Sequence, residues 1–236
     1  MKQAIVKENV ELAVADGTRM GAYVAYPDQG GPHPGLLLFQ EAFGVNHHIR
    51  CVSERFATEG YVVIAPELFH RTAPAGFEGA YTDFPSVMPH LQAVTTETAE
   101  ADIRAAYDWL HSNSRVKSDE ISSVGFCMGG RAAFIANGVV VLRAAVSFYG
   151  GGIAPGLLDR AAKLQAPSLF IWGGLDKHIT PEHRKAVTDA LSAQQKAYVN
   201  AEFSRADHGF FCDERASYEP HSARQAWALT LEFLRS

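Results

Sequence analysis

Short apolar runs recur along the 236-residue chain between longer amphipathic segments. The runs are rich in Val, Ile, Leu and Phe, which is typical of strands buried on both faces of a parallel sheet. Their alternation with helical patterns predicts an α/β fold, a mostly parallel central sheet of about eight strands with helices on both faces. The predicted strands are Glu11–Ala15, Met20–Tyr26, Gly35–Gln40, Val62–Ala65, Glu120–Phe126, Ala144–Phe148, Ser168–Trp172 and Ala197–Phe203. Asp16-Gly17 predicts a hairpin turn between the first two.

Five of the segments between these strands place apolar residues three and four positions apart, as amphipathic helices do. The predicted helices are His47–Glu59, Thr96–His111, Met128–Asn137, Pro181–Ala193 and Asp213–Leu234. In the second of them, Ala99, Ile103, Tyr107 and Leu110 form one apolar stripe, whereas Asp102 lies off it with other charged residues. That stripe predicts packing of the helix on the sheet.

The segment Phe69–Gln92 differs from the rest of the chain because it holds five Gly and Pro residues. This density of helix and strand breakers predicts a long irregular excursion. Excursions of this kind often cover an active site. An ordered surface connection without functional contacts is an equal alternative.

Composition and charge narrow the class of protein. With 47% hydrophobic residues, the chain can bury the core of one α/β domain, predicted over residues 1–236. The formal net charge of −5, with acids and bases interspersed, predicts a small-molecule partner and neither a nucleic-acid nor a membrane partner. No signal-like or membrane-length apolar run occurs, and the three cysteines contain no CxxC pair. We therefore expect a cytoplasmic protein without a disulfide framework or structural zinc; no oligomeric state is indicated.

The most specific motif is Gly125-Phe-Cys127-Met-Gly129, which joins the predicted strand Glu120–Phe126 to an Ala-rich helix. A strand, a sharp turn and a helix are the context of a G-x-nucleophile-x-G elbow. The glycines allow the strand and the helix to approach closely around a strained residue. A helix N-terminus and a nearby His both favour the thiolate form of a cysteine. The alternative is a small buried thiol at a tight turn.

An elbow of this type predicts an acid after a later strand and then a His after the last strand. Asp176 follows the strand Ser168–Trp172 and a Gly-Gly turn, and His208 follows the strand Ala197–Phe203. We expect His208 to be the base and Asp176 to orient it. Asp207 is a weaker candidate for the acid and His178 a weaker candidate for the base. The remaining histidines have no spacing typical of metal ligands, so no metal site is predicted.

At Cys127, Asp176 and His208 the chain resembles the dienelactone hydrolase (carboxymethylenebutenolidase) family of the α/β-hydrolase superfamily. Gln40-Glu41-Ala42-Phe43-Gly44-Val45-Asn46 also resembles the family segment that carries a glutamate near the nucleophile. The resemblance implies an α/β-hydrolase fold and a Cys-His-Asp triad. It further implies that Glu41 contacts the resting cysteine and controls its ionisation. The alternative role for Glu41 is a cap on the following helix.

The same resemblance implies an oxyanion hole and a pocket. The backbone N–H groups of Ala42 and Met128 match the family's oxyanion donors. Tyr149 matches a tyrosine near the family's pocket, although an aromatic residue there could equally belong to the core. Phe43 and Phe210 are further predicted pocket residues. No metal or organic cofactor is implied.

The resemblance predicts hydrolysis of an ester or lactone, but one departure concerns the substrate. Dienelactone-specific members bind the substrate carboxylate with arginines, one of them four residues after the catalytic histidine. Here that position is Cys212, and Arg215 follows three residues later. The second candidate function is therefore that of a promiscuous carboxylesterase or acyl-transfer relative with a non-dienelactone substrate. A rival of another class is a redox-sensing or binding module on a hydrolase fold.

Overall fold

The computed structural model describes residues 4–236. Except for the first, its strands lie where the apolar runs predict them, with ends shifted by at most four residues. They are β1 (Ile5–Ala13), β2 (Arg19–Pro27), β3 (His33–Phe39), β4 (Val62–Pro66), β5 (Val116–Phe126), β6 (Ala145–Phe148), β7 (Ser168–Gly173) and β8 (Tyr198–Phe203). The strand β1 starts earlier than its predicted start at Glu11. Its first half is largely exposed and polar, so it shows no apolar run.

The strands form one eight-stranded sheet in the order β1-β2-β4-β3-β5-β6-β7-β8. The strands β1 and β2 form an antiparallel hairpin, and β2 pairs antiparallel with β4. The strand β3 is parallel to β4, and β6, β7 and β8 are parallel to one another. Carboxyl ends of parallel neighbours share one edge, where ligands of α/β sheets bind. The predicted α/β fold with a mostly parallel sheet is confirmed.

The chain divides into two compact units, the first ending at Ser123 and the second covering Val124–Ser236. The boundary in the chain falls within β5. In the first unit, α1 (His47–Thr58) packs on β2 and β4 through buried residues that include Ile49, Val52 and Phe56. A single domain over the whole chain remains a prediction.

The helix α3 (Thr96–Ser112) packs on β3 and β4 of the first unit. Ala99, Ile103 and Leu110 of the predicted stripe are buried. Asp102 is also fully buried, because a charged network compensates its desolvation. Arg71 donates two hydrogen bonds of 2.8 Å to its carboxylate, and His70 Nε2 lies 3.1 Å from Oδ1. This off-stripe residue therefore anchors the segment that begins at Phe69.

The prediction of a wholly irregular Phe69–Gln92 excursion was wrong in its second half, which contains α2 (Phe84–Ala93). Pro85 lies in the first turn, where a missing N–H leaves no helical hydrogen bond unmade. Val87 is fully buried in a cluster with Phe43, so tertiary packing stabilises a helix that its Pro content argues against.

The second unit contains α4 (Met128–Val139), α5 (Pro181–Ala193) and α6 (Pro220–Arg235). The helix α4 packs on β6. The helix α5 has its predicted bounds. The predicted start of α6 at Asp213 was wrong, because the helix begins only at Pro220, where the Glu219 side chain accepts hydrogen bonds from the amides of His221 and Ser222. A capped N-terminus with proline in the first turn sets this boundary.

Candidate active site

Cys127 lies between β5 and α4 in a backbone conformation that side chains rarely adopt, with φ 57° and ψ −118°. The Cys127 amide donates to the Phe148 carbonyl at 3.0 Å, and the Cys127 carbonyl accepts from the Gly130 amide at 2.9 Å. A conformation of this kind costs about 1–3 kcal/mol and persists only where surrounding contacts hold it. The strand, strained turn and helix have the arrangement of a nucleophile elbow.

Glycines around Cys127 allow this turn because no side chain fits at their positions. A Cβ at Gly125 would collide with the Gly129 carbonyl. A Cβ at Gly130 would lie 2.6 Å from the Phe148 carbonyl oxygen and 2.9 Å from the Gly150 Cα. Sequence reasoning did not single out Gly130. Its sequence signal is its place as the second glycine of the pair Gly129-Gly130. The absence of a side chain there lets α4 approach the end of β6.

His208 is oriented by Asp176. Its Nδ1 lies 2.7 Å from Asp176 Oδ2, and the two side chains are 14% and 1% exposed. The other carboxylate oxygen of Asp176 accepts from the amides of His178 and Ile179 at 2.8 and 3.1 Å. The carboxylate is therefore held from both sides. Asp207 is exposed, and its Oδ1 accepts the backbone N–H of His208 at 2.7 Å and not the ring.

Cys127 also contacts the imidazole, because its side chain hydrogen-bonds to His208. The pKa of His208 is raised from 6.5 to about 10. Burial lowers this pKa, but electrostatic attraction to Cys127 and Asp176 and the hydrogen bonds of His208 to these two side chains outweigh burial. The pKa of Asp176 is lowered: burial raises it, whereas the bond and charge of His208 and two backbone amides lower it. The three side chains form one connected chain that favours the imidazolium form of His208.

Aromatic rings cover the imidazole of His208. The Tyr149 ring lies 5.1 Å from the imidazole, centroid to centroid, and the Phe210 ring lies 5.6 Å from Tyr149. Both aromatic side chains are fully buried. Tyr149 has a positive φ of 37°, and its amide donates to the Ile171 carbonyl at 2.7 Å. The predicted residue Tyr149 thus restricts the position of the imidazole, and Phe210 packs behind Tyr149.

Two further residues follow His208 along the chain. Cys212 is fully buried. The guanidinium of Arg215 packs against Gly209, so closely that a Cβ at Gly209 would collide with it. Cys212 therefore contributes packing at the position where dienelactone-specific members carry an arginine.

Glu41, Ala42 and Phe43 belong to the first unit, where all three are buried at the end of β3. The Phe43 carbonyl accepts from Gly79 at 3.0 Å, and its ring packs on Tyr81 at 4.6 Å. The cap of α1 is Asn46, whose Oδ1 accepts from the Ile49 amide at 3.2 Å, so capping of this helix does not explain Glu41. The predicted roles of Glu41, Ala42 and Phe43 toward Cys127 remain predictions.

Within residues 4–236, no group of three or more His, Cys, Asp or Glu side chains is arranged to hold a metal ion. No helix within the same range combines the length and apolar character needed to cross a bilayer. The predicted absence of a metal or organic cofactor remains a prediction.

Comparisons with known proteins point to one family. The model of the "Dienelactone hydrolase family" matches residues 20–236. Two relatives, both named "Putative carboxymethylenebutenolidase", come from Synechocystis sp. and Escherichia coli K12. They are 36% identical over 220 residues (89% of this chain, 88% of the relative) and 33% identical over 233 residues (94% and 84%), respectively. A crystal structure from Klebsiella pneumoniae named "Putative Dienelactone Hydrolase" has a TM-score of 0.89 at 30% identity and covers 99% of both chains.

Proposed function

Because the chain belongs to the dienelactone hydrolase family, we propose that it hydrolyses a carboxylic ester or lactone with Cys127 as the nucleophile. The observation that carries this proposal is the connected set of Cys127, His208 and Asp176 at a strained elbow. A nucleophile, a base and a group that orients the base are the three parts of nucleophilic catalysis. The substrate is a small molecule.

In the proposed reaction, the Cys127 thiolate attacks the carbonyl carbon and the carbonyl oxygen becomes an oxyanion. By the family resemblance, the amides of Met128 and Ala42 would donate to that oxyanion; a single donor of this kind typically contributes about 2.7–4 kcal/mol. His208 then protonates the leaving oxygen as the tetrahedral intermediate collapses to a thioester. The neutral imidazole next takes a proton from water, and hydroxide attack releases the acid and restores the thiolate.

Asp176 has a positioning role in this scheme. Its bond to Nδ1 directs Nε2 toward the reacting atoms and stabilises the imidazolium. Glu41 would act on the resting thiol, because a nearby carboxylate disfavours a thiolate or accepts its proton. Substrate binding would then separate the two groups and release the nucleophile. Phe43, Tyr149 and Phe210 are proposed as pocket residues on the family resemblance alone, because all three side chains are buried.

The test measures hydrolysis of p-nitrophenyl acetate and of a cyclic enol lactone by the wild type and Cys127→Ala. We expect Cys127→Ala to lose turnover by at least about a thousandfold, in line with removal of other catalytic nucleophiles. Cys51→Ala is the matched control, since Cys51 is half-buried on α1 in the first unit. We expect this control to retain activity. Equal turnover by wild type and Cys127→Ala would overturn the proposal.

A promiscuous carboxylesterase or acyl-transfer relative is the second candidate. The observation that favours it is the buried Cys212 four residues after His208. Profiling acyl chains and alcohol acceptors separates this candidate from a dienelactone-specific enzyme. A purely redox-sensing module is disfavoured because a sensor thiol needs no base held by a buried carboxylate. A cytoplasmic location remains a prediction from the sequence.

A further inference from the structure

A cavity lies in the unit that contains Cys127, at the carboxyl ends of β6 and β7. Its volume is about 130 Å³. It is lined by Gly150, Gly152, Ala154, Trp172, His178, Ile179, His183 and Val187. Two imidazoles are therefore its only titratable side chains, and no carboxylate is among its lining residues. Such a volume suits a small group of a substrate and not a whole ligand.

The two imidazoles are the side-chain donors that face this cavity. Trp172 is buried, and its indole N–H is already used in a 2.6 Å bond to Asn200 Oδ1. Within residues 4–236, neither the His178 nor the His183 ring is hydrogen-bonded to another residue. Ile179 and Val187 are buried and apolar. The cavity thus combines an apolar floor with two free imidazole N–H donors.

The local backbone also favours a negative group. The helix α5 begins at Pro181 with Thr180 as its N-cap, so His183 lies in its first turn. The positive end of a helix dipole attracts anions within the first turn of the helix. Glu182 is the acid of the same turn; it is exposed and does not line the cavity, but its carboxylate interacts electrostatically with His183. The cavity is therefore suited to an acceptor with negative charge.

The cavity adjoins the proposed catalytic histidine. The His178 ring meets the His208 ring edge to face at 5.6 Å between centroids. Gly150 directly follows Tyr149, whose ring covers His208 from another side at 5.1 Å. A substrate whose carbonyl is at Cys127 could thus place a short substituent in the cavity.

We propose that this cavity is an anion subsite in which His178 and His183 bind a carboxylate on the acyl part of the substrate. This inference rests on the proposed ester or lactone hydrolysis and adds its specificity determinant. The imidazole N–H groups donate to the carboxylate oxygens, while Trp172, Ile179 and Val187 contact the adjoining methylene groups. Selection for an anionic acyl group thereby comes from the turn that follows β7 and the first turn of α5.

The experiment compares p-nitrophenyl hemisuccinate and hemiglutarate, which carry an acyl carboxylate, with neutral p-nitrophenyl acetate. His183→Gln is the informative variant because His183, unlike His178, has no ring contact with His208. The measured quantity is a specificity ratio: kcat/KM for the anionic ester that the wild type hydrolyses faster, divided by kcat/KM for the acetate ester. We expect His183→Gln to lower this ratio about tenfold or more, as expected for loss of a hydrogen bond to a charged group. The change should appear mainly in KM.

Two more variants complete the test. His183→Asp places a carboxylate in the cavity, so it should lower the same ratio further than His183→Gln. Lys185→Gln is the matched control: it removes a charge from α5 at a side chain that is 72% exposed and paired with Asp189. The control should leave the ratio unchanged. Only variants with a native circular dichroism spectrum and a cooperative thermal unfolding transition are compared.

The two proposals fail in different ways. If Cys127→Ala retains turnover, the proposed function is wrong. If turnover depends on Cys127 but the ratio is the same in wild type, His183→Gln and His183→Asp, the anion subsite is wrong. Equal loss with Lys185→Gln would also overturn the subsite, because it would show a general charge effect.

Discussion

Replacing Asp176 by Asn changes one atom of the carboxylate and removes its charge. The Asn oxygen can keep the bonds to the amides of His178 and Ile179, which close the turn after β7. The Asn NH₂ would then face His208 Nδ1 across the present 2.7 Å contact. Because two donors cannot face each other, the imidazole must carry its proton on Nε2. That tautomer cannot accept a proton at the reacting side.

The magnitude follows from the bond that is lost. A hydrogen bond to a charged group contributes about 1.5–3 kcal/mol. Since 1.36 kcal/mol corresponds to a factor of ten, loss of this bond from the transition state lowers kcat by about 10- to 150-fold. The wrong tautomer of His208 increases this loss in kcat. An Asp-to-Asn substitution in a serine triad lowers kcat by about 10⁴. We expect Asp176→Asn to lose about 10³ in kcat, because a thiolate needs less help from its base.

The pH dependence has a definite sign. His208 has a pKa raised to about 10, so its imidazolium, the acid for the leaving group, persists until pH rises through that value. Asp176 contributes to the raised pKa by its hydrogen bond and its charge. Without them the pKa falls, and the alkaline decline of kcat/KM should begin at lower pH in Asp176→Asn.

The assay is p-nitrophenyl acetate hydrolysis from about pH 5 to 11, corrected for spontaneous hydrolysis. Asp207→Asn is the control, since Asp207 is exposed and accepts only the backbone N–H of His208. We expect this control to stay within about threefold of wild type, as a change at an exposed site away from the ring should. An Asp176→Asn enzyme within tenfold of wild type and with an unchanged alkaline decline would refute the reasoning.

Two further predictions concern stability. Gly130→Ala would place a Cβ 2.6 Å from the Phe148 carbonyl oxygen, so we expect its free energy of unfolding in urea to fall by about 1–3 kcal/mol and its activity to fall as well. Gly151→Ala is the control and should be nearly neutral in the same assay, because its added Cβ would meet no side chain or distant backbone within 4 Å. Asp102→Ala would leave His70 without its buried partner and Arg71 with only the exposed Asp16, so it should destabilise by about 1–3 kcal/mol. A loss below about 0.5 kcal/mol for either destabilising variant would contradict these assignments.

Much of the fold is visible in the sequence because its signals are local. The apolar runs and helical stripes depend on residues that are two to four positions apart, and the sheet that they predict is present. The turn around Cys127 is also local. Gly125 and Cys127 belong to one short strand-to-helix connection, and the collision that excludes a side chain at Gly125 involves a residue only four positions away.

Local pattern failed where distant residues decide the structure. The helix α2 contains two prolines and is stabilised by packing of Val87 near Phe43, some forty positions earlier in the chain. Asp102 is buried because Arg71 and His70 reach it from another segment. Neither contact has a signature in the residues that flank it.

The sequence by itself determined the parts of the candidate site and their order along the chain: a cysteine at an elbow, then an acid, then a histidine. Only the tertiary structure decided that Asp176, 32 positions from His208, meets its ring while the adjacent Asp207 does not. The same holds for the cavity between His178 and His183. The physical reason is that parallel strands bring their carboxyl ends to one edge of the sheet, so the side chains that meet there are set by strand pairing and not by sequence proximity.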